Sequence, residues 1–344
     1  MSGNNLVFYR KYRPGKFEEV IGQGHIVGVL KNAILKNRIS HAYLFAGPRG
    51  TGKTTVARIL AHEVGSAEED IIEIDAASSR GIDEAKALRE AARTVPFKSP
   101  YKTYIIDEAH MLTKEAFNVL LKTMEEPPAH VIFILATTEF EKIPDTIVSR
   151  AQYFKFNKIS IADIVRELQM IAKAEGLKAH DDALKLIAFF AEGSLRDAEN
   201  IMFQVFGAEE KEIREELVRT LLGAPEEETV NNLIELSLKK EVGKMLEILD
   251  KNLATGRDPV MLGKLILRNL RAAYFLALNK NAERLITDEF SQDEIASLKT
   301  FSAYGAKTLE EGVGMLFDAI RLRADDFTAS LPLELALIKI ATRN

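Results

Sequence analysis

The chain has 344 residues, enough for two or three domains of ~100–200 residues each. Hydrophobic residues make up 47% and charged residues 28%, so each domain has apolar material for its own core without a disulfide or metal staple. The 46 basic and 51 acidic side chains leave a formal net charge of −5, which excludes a nucleic-acid coat protein and confines any DNA contact to a local basic patch. The cysteine count of 0 excludes a thiol nucleophile, an iron–sulfur cluster and cysteine-ligated zinc, and the 6 histidines are dispersed. No signal-like apolar core opens the chain, and runs such as VIFILA (131–136) fall far short of a membrane span, so a cytoplasmic protein with no membrane partner is expected.

Taken in chain order, YRKYRP (9–14) combines aromatic and basic residues. Tyr9 could stack on a base and Arg13 could pair with phosphate, or the segment could be a solvated arm. AYLFA (42–46) is a strand followed by GPRGTGKT, and VARILAHEV (56–64) is a helix. IIEID (71–75) is strand-like and is followed by a helix from Asp83 to Arg93. TYIID (103–107), helical KEAFNVLLKTMEE (114–126), VIFILA, DTIVSR and β-favouring YFKF (153–156) complete the series. Five apolar strands alternating with helices predict an α/β domain over 1–157, with a parallel, doubly wound sheet.

Past residue 158 strand signals stop. Three short helices are expected in 161–207, with Gly176, Gly193 and Gly207 at C-caps, forming a small helical lid over 158–220. The charged stretch AEEKEIREE (208–216) and the turn LLGAP (221–225) lead into an all-α region over 221–344. There Val242, Met245, Leu246 and Leu249, and again Leu309, Val313, Leu316 and Ile320, each put one apolar stripe on a helix. The stripes imply bundle core and no chemistry.

The segment Gly47 to Thr54 matches GxxxxGK[ST] in full, between a strand and a helix. Glycines let successive N–H groups turn toward a phosphate, and the helix N-terminus adds its positive end. Gly50, Thr51, Gly52, Lys53, Thr54 and Thr55 are therefore candidate nucleotide contacts, with Lys53 reaching the β- and γ-phosphates and the Thr54 hydroxyl reaching Mg²⁺. Asp107 and Glu108 end the TYIID strand. Beside such a loop, Asp107 suits the metal and Glu108 the attacking water; without the loop the pair would read as acids at a helix start. Thr137 and Thr138 end VIFILA, and a hydroxyl there can contact the γ-phosphate or the water. Arg150 has no obvious acid partner in sequence and could act on a neighbouring subunit's nucleotide, or be a helix-end arginine. Arg196 sits at a helix N-terminus, where its charge opposes the macrodipole. That position is consistent with a phosphate partner or with a surface Arg–Asp pair. Arg80, in the loop Ser78–Gly81, is a candidate DNA-phosphate contact or part of a plain helix-start loop.

Jointly, YRKYRP, FEEVIGQ (17–23), the glycine-rich segment, YIIDEAHML (104–112), LLKTMEEPP, ATTE, IPDTIVSR (143–150) and EGSLRDA (192–198) resemble the AAA+ clamp-loader ATPases. Among these the chain is most similar to the bacterial DNA polymerase III gamma/tau subunits, along essentially its whole length. The resemblance is looser in the C-terminal third, at ADDFTASLPLELALIKI (324–340). It implies an AAA+ P-loop domain, a helical lid and an all-α collar. It makes Lys53 and Thr54 Walker A residues, Asp107 and Glu108 the Walker B pair, and Thr138 the sensor 1 residue. Arg150 becomes an arginine finger acting in trans and Arg196 a sensor 2 acting in cis. Arg13, Pro14, Val20, Ile21 and Gly22 would line the adenine side. The resemblance further implies ATP and Mg²⁺ as cofactors and a five-membered ring with other clamp-loader subunits. That ring would open a sliding clamp, load it on primer–template DNA and release it on hydrolysis, with polymerase activity only in the holoenzyme.

The family's four-cysteine zinc module is replaced here by HEVGSAEE (62–69), so zinc is not expected. The finger motif reads Ser149-Arg150-Ala151, and the chain ends at Asn344, as in a short gamma-like form. A catalytically silent subunit of the same ring is the alternative, and the DEAH string (107–110) raises a helicase-like remodeller, though one P-loop is half of a translocating motor.

Overall fold

The structure, a computed structural model, describes residues 7–208, 212–322 and 329–343. These divide into two compact units. The first holds residues up to Glu167 together with Phe190–Asn200, and the second holds Leu168–Phe189 and residues from Ile201 onward.

The first unit begins with α1 (Phe8–Lys11) and α2 (Gly24–Leu35), followed by β1 (Ala42–Ala46) and α3 (Lys53–Glu63). It continues through β2 (Ile71–Asp75), α4 (Ile82–Ala92), β3 (Lys102–Asp107), α5 (Lys114–Glu125), β4 (Val131–Thr137), α6 (Asp145–Val148) and β5 (Gln152–Lys155). The five strands form one parallel sheet in the order β2-β3-β4-β1-β5. All seven residues of β4 are buried, as strands covered on both faces require.

Side-chain alternation sorts those residues onto two cores. Tyr43, Phe45, Ile105, Ile132 and Ile134 face one side, packed by Ile26 and Leu30 of α2 and by Val56, Ile59 and Leu60 of α3. Leu44, Tyr104, Ile106, Phe133 and Leu135 face the other, packed by Leu88 of α4, Phe117 and Leu120 of α5 and Ile147 of α6. This is the doubly wound arrangement expected from the alternating strand and helix signals.

Three helices follow: α7 (Ile161–Glu175), α8 (Asp181–Phe190) and α9 (Leu195–Ala208). Two expectations are corrected here. Gly207 is no cap, because α9 runs through it; Gly176 and Gly193 do take left-handed φ values, of 70° and 88°. Strands also do not cease at 158: β6 (Lys178–Ala179) and β7 (Glu212–Ile213) pair in parallel. Two residues per strand are too few to leave a period-2 pattern. Residues 209–211 of the charged stretch and 324–328 of the C-terminal motif lie outside the described residues.

The rest of the second unit is helical: α10 (Glu215–Leu222), α11 (Glu227–Leu238), α12 (Val242–Ala254), α13 (Pro259–Leu278), α14 (Gln292–Ser302), α15 (Ala306–Arg321) and α16 (Leu331–Thr342). Gly223 ends α10 at φ 65°, at the predicted LLGAP turn. Asp258 caps α13 through Val260 N–H, with Pro259 at the first turn. The two apolar stripes bury Met245 and Leu249 on α12, and Leu309 and Leu316 on α15. Helix α13 packs against α14 and α15, with Arg268 and Glu294 buried as an ion pair at 3.0 Å and the guanidinium 3.8 Å from the Phe290 ring centre.

Phe133 is 1% exposed and stacks on Tyr104 at 5.5 Å in the centre of the sheet. Phe133→Ala should cost ~3–5 kcal/mol of unfolding free energy, and Phe133→Leu markedly less. Urea denaturation followed by circular dichroism measures both; a cost below ~1 kcal/mol for the alanine would mean that the ring does not carry the packing described.

Candidate nucleotide-binding site

The carboxyl ends of the strands converge at one edge of the sheet. Ala46 is in register with Thr137 and with Lys155, and Asp75 with Asp107. The loop from β1 to α3 must turn there within a few residues. Gly47 passes so close to β5 that a Cβ would stand 2.4 Å from the Phe156 carbonyl oxygen. Gly50 is left-handed at φ 72°, and a Cβ there would meet the Ser194 hydroxyl at 1.9 Å. Thr51 Oγ1 donates to the Pro48 carbonyl at 2.8 Å and tightens the turn.

Two distant groups clamp the loop. Gln23, 0% exposed, donates from Nε2 to the Asn157 carbonyl at 2.8 Å and to the Thr51 carbonyl at 3.4 Å. Its Oε1 accepts from Asn157 N–H at 3.2 Å. The Leu195 N–H, at the start of α9, donates to the Gly50 carbonyl at 3.1 Å.

Lys53 is 6% exposed, and its ammonium donates to the Gly47 and Pro48 carbonyls at 2.9 Å each. Burial lowers its pKa, opposed by the Glu108 and Asp107 carboxylates. Thr54 Oγ1 donates to Asp107 Oδ2 at 2.8 Å, and Asp107 Oδ1 accepts the Glu108 N–H at 3.0 Å. Glu108 is itself left-handed at φ 47°. Thr138 Oγ1 donates to Glu108 Oε2 at 3.0 Å. His110, with a side chain 7% exposed, places Nδ1 3.1 Å from Thr137 Oγ1 and 3.4 Å from Glu108 Oε2, and Nε2 3.1 Å from Glu139 Oε1.

A cavity of about 530 Å³ opens above these groups. Tyr9, Arg13, Pro14, Val20, Ile21, Gly50, Thr51, Gly52, Lys53, Thr54, Thr55, Asp107, Glu108 and Arg196 all line it. Arg13 Nε donates to Thr55 Oγ1 at 3.2 Å, and the Arg196 guanidinium stands 4.6 Å from the Tyr9 ring centre. Gly22 does not line the cavity; its left-handed turn packs against Ile159, which does. Thr138 reaches the cavity only through Glu108. Arg150 and Arg80 lie outside it.

Arg150 also gains the acid partner that the sequence did not suggest. Its Nη2 donates to Glu125 Oε1 at 2.8 Å and its Nη1 to the Thr146 carbonyl at 2.9 Å, because the end of α5 lies against α6. Arg80 is exposed, on the loop between β2 and α4.

Several lining residues carry no sequence signal of their own. Arg10, Arg49, Arg58, Glu73 and Glu199 join the set, Arg58 through an ion pair with Glu73. Arg49, inside the glycine-rich motif, and Arg10, inside YRKYRP, were within reach of motif reasoning; Arg58, Glu73 and Glu199 depend on tertiary contacts. Six basic side chains (Arg10, Arg13, Arg49, Lys53, Arg58 and Arg196) therefore meet four acidic ones (Glu73, Asp107, Glu108 and Glu199). Arg58 Nε is buried with no hydrogen-bond partner.

This donor set fits a nucleotide: a cation-rich cavity, an apolar wall of Pro14, Val20, Ile21 and Ile159, and a glycine loop leading into a helix N-terminus. Thr54 and Asp107 supply the hard oxygens that suit Mg²⁺, which uses one or two protein ligands beside phosphate. Among the described residues no group of three or more His, Cys, Asp or Glu could hold a metal ion, and no helix is long and apolar enough to cross a membrane.

A parallel sheet in this order, with a glycine loop after β1 and an acidic pair after β3, defines a P-loop ATPase fold of the AAA+ class. The RuvB Holliday junction branch migration motor of Thermotoga maritima superposes at a TM-score of 0.52 with 21% identity, over 65% of this chain and 78% of that one, a likeness of fold. The family described as "DNA polymerase III, delta subunit" matches residues 22–78 and 65–160, and that described as "DNA polymerase III clamp loader subunit, ATPase lid domain" matches 163–205. The DNA polymerase III subunit gamma of Buchnera aphidicola subsp. Schizaphis graminum is 34% identical over 325 residues, covering 88% of this chain and 89% of that subunit. The subunit tau of Bacillus subtilis is 42% identical over 275 residues, 74% of this chain. That of Escherichia coli is 36% identical over 271 residues, 73% of this chain. The chain spans 49% of the Bacillus subunit and 42% of the Escherichia one. The chain belongs to the DNA polymerase III gamma/tau family of clamp-loader subunits.

The clash that a side chain at Gly50 would make with Ser194 gives a direct test of the clamp on the loop. Gly50→Ala should weaken nucleotide binding by at least ten-fold, since the new methyl displaces Ser194 or the loop and forces a left-handed alanine. Ser194→Gly in the same chain should recover part of the loss. Isothermal titration with ATP reads both; wild-type affinity in Gly50→Ala would refute the contact.

Proposed function

We propose that the chain is an ATP-hydrolysing motor subunit of a clamp loader, cytoplasmic, working in a five-membered ring with other clamp-loader subunits. Its ATP state would open a sliding clamp on primer–template DNA, and hydrolysis would release the loaded clamp. Polymerase activity would belong to the holoenzyme it joins. We further propose an ATPase domain over 1–157, a lid over 158–220 and a collar over 221–344. The observation that carries the reading is the hydrogen-bonded series Thr54–Asp107–Glu108–Thr138 beside the buried Lys53 ammonium. These are the groups that phosphoryl transfer to water requires in one place.

The roles follow from position. Lys53 would exchange its two carbonyl partners for phosphate oxygens, a stronger charge-assisted contact. Thr54 Oγ1 and Asp107 would hold Mg²⁺, which supplies charge neutralisation at the phosphates when bound. Glu108 would orient and deprotonate the attacking water, with Thr138 fixing its carboxylate. Arg196, reaching the cavity from the start of α9, would contact phosphate of its own chain's nucleotide. Arg150, outside its own cavity and tied to Glu125, would serve a neighbour's site. Exposed Arg80 is the candidate contact to DNA phosphate.

Lys53→Ala should abolish hydrolysis and weaken ATP binding, whereas Glu108→Gln should bind ATP normally and stop turnover. Steady-state ATPase assays and calorimetric titration separate the two; parental turnover in Glu108→Gln would remove Glu108 as the base.

Arg150→Ala should leave its own chain's ATP affinity nearly intact and cut hydrolysis by ~10³-fold or more at the site it faces in an assembled ring. Mixing Lys53→Ala chains, which keep Arg150, with Arg150→Ala chains should restore part of the ATPase. A rate that is a linear sum of the two populations, with assembly confirmed by light scattering, would leave Arg150 as a helix-end arginine.

A further inference from the structure

His110 is a buried titratable group that none of the roles above uses. Its side chain is 7% exposed and does not line the cavity, so any effect on a nucleotide passes through other residues. It belongs to the short 3-10 turn Ala109–Met111 that follows Glu108. From that turn it reaches the end of β4, where Nδ1 stands 3.1 Å from Thr137 Oγ1 and Nε2 stands 3.1 Å from Glu139 Oε1. Hydrogen-bond accounting orients the ring. The Glu139 carboxylate only accepts, which puts a ring proton on Nε2. Thr137 Oγ1 already accepts the Glu139 N–H at 3.0 Å, which leaves its own proton for Nδ1.

The two residues held in this way flank Thr138, whose hydroxyl donates to Glu108 Oε2 at 3.0 Å. Nδ1 stands 3.4 Å from the same oxygen. A nitrogen lone pair repels a carboxylate oxygen, so Oε2 is left to the Thr138 hydroxyl. Glu108 Oε1 has no hydrogen-bond partner among the described residues and is the oxygen open to a water. The Glu108 backbone is left-handed at φ 47°, a conformation that a residue with a side chain keeps only where its surroundings fix it. His110, two residues further on, ties that turn to β4.

We infer that His110 is a positioning residue for hydrolysis: by pinning residues 137 and 139 it holds Thr138 against Glu108, and so sets where the Glu108 carboxylate meets the attacking water. This rests on the reading above in which Glu108 is the base. It gives the histidine of the DEAH string a task within a single P-loop domain. Nothing in the ATP cavity itself changes when the ring is removed, so the loss falls on turnover and not on binding.

The test measures steady-state ATPase of the full chain in an assembled ring, with ATP affinity by calorimetric titration and the thermal midpoint by circular dichroism. His110→Leu, which keeps apolar bulk, should lower kcat about 10- to 100-fold and leave ATP affinity within about two-fold of the parent. His110→Asn, which places a polar atom where Nδ1 stands, should recover part of the rate at a similar midpoint. Thr137→Val, which removes the hydroxyl that Nδ1 meets and leaves the ring in place, should reproduce the kcat loss. In a Thr138→Val chain, His110→Leu should add little further loss, because the two act in series. Parental kcat in His110→Leu overturns the inference, as does a His110→Asn chain no faster than His110→Leu, which would make the role one of packing. Losses that multiply in the double variant overturn it as well, since they would mean independent action. Parental turnover in Glu108→Gln overturns the reading of Glu108 as the base, and this inference with it.

Discussion

The buried Lys53 ammonium governs the rest of the first unit. A cation 6% exposed is costly to desolvate, and no carboxylate among the described residues forms an ion pair with it. Two main-chain carbonyls, from Gly47 and Pro48, accept its hydrogen bonds instead. For both to point inward, the backbone between β1 and α3 must curl through conformations that side chains forbid. The glycines are therefore a consequence of where the ammonium has to sit. Asp107 and Glu108 supply a field that favours the charged form without closing on it. The result is a cation held in place by weak neutral acceptors, ready to exchange them for a polyanion.

The sheet decides what else can reach that cation. With β1 between β4 and β5, and β3 next to β4, the ends of three strands present Ala46, Thr137 and Asp107 on one rim. Ligands collect at the carboxyl edge of such sheets because the helix N-termini point there. Helix α9 adds a second grip on the loop from outside the sheet. Its first N–H caps the Gly50 carbonyl, Ser194 fills the space a side chain at Gly50 would need, and Arg196 lies across Tyr9. Four separated stretches of sequence thus share one cavity.

Much of this was legible in the chain because the informative features are local. AYLFA and IIEID coincide with β1 and β2 to the residue; β1 is buried throughout and so continuously apolar, whereas β2, at the sheet edge, is legible from its isoleucines although Glu73 and Asp75 interrupt them. The glycine loop and the Asp107–Glu108 pair are contiguous motifs with a fixed geometric purpose. The misses are contacts between residues far apart in sequence. Gln23 and Asn157 lie 134 residues apart, and no pattern at either end announces that they meet. Glu125 ends a helix in one motif and Arg150 ends another, so their ion pair exists only once α5 and α6 pack. Gly207 read as a cap because glycine usually stops helices, but α9 continues and overrides the propensity.

The charge balance joins the parts. The chain as a whole is acidic, at −5, yet its cavity gathers six basic residues against four acidic ones. Those acids are not equivalent. Glu73 is engaged by Arg58, Asp107 accepts from Thr54, and Glu108 accepts from Thr138, so each is tied to a partner at or near the phosphate end. Among the described residues Glu199 has no such partner, and burial, with the Glu167 carboxylate, raises its pKa to about 8. A polyanion entering the cavity therefore meets cations and partnered carboxylates where its charge lies.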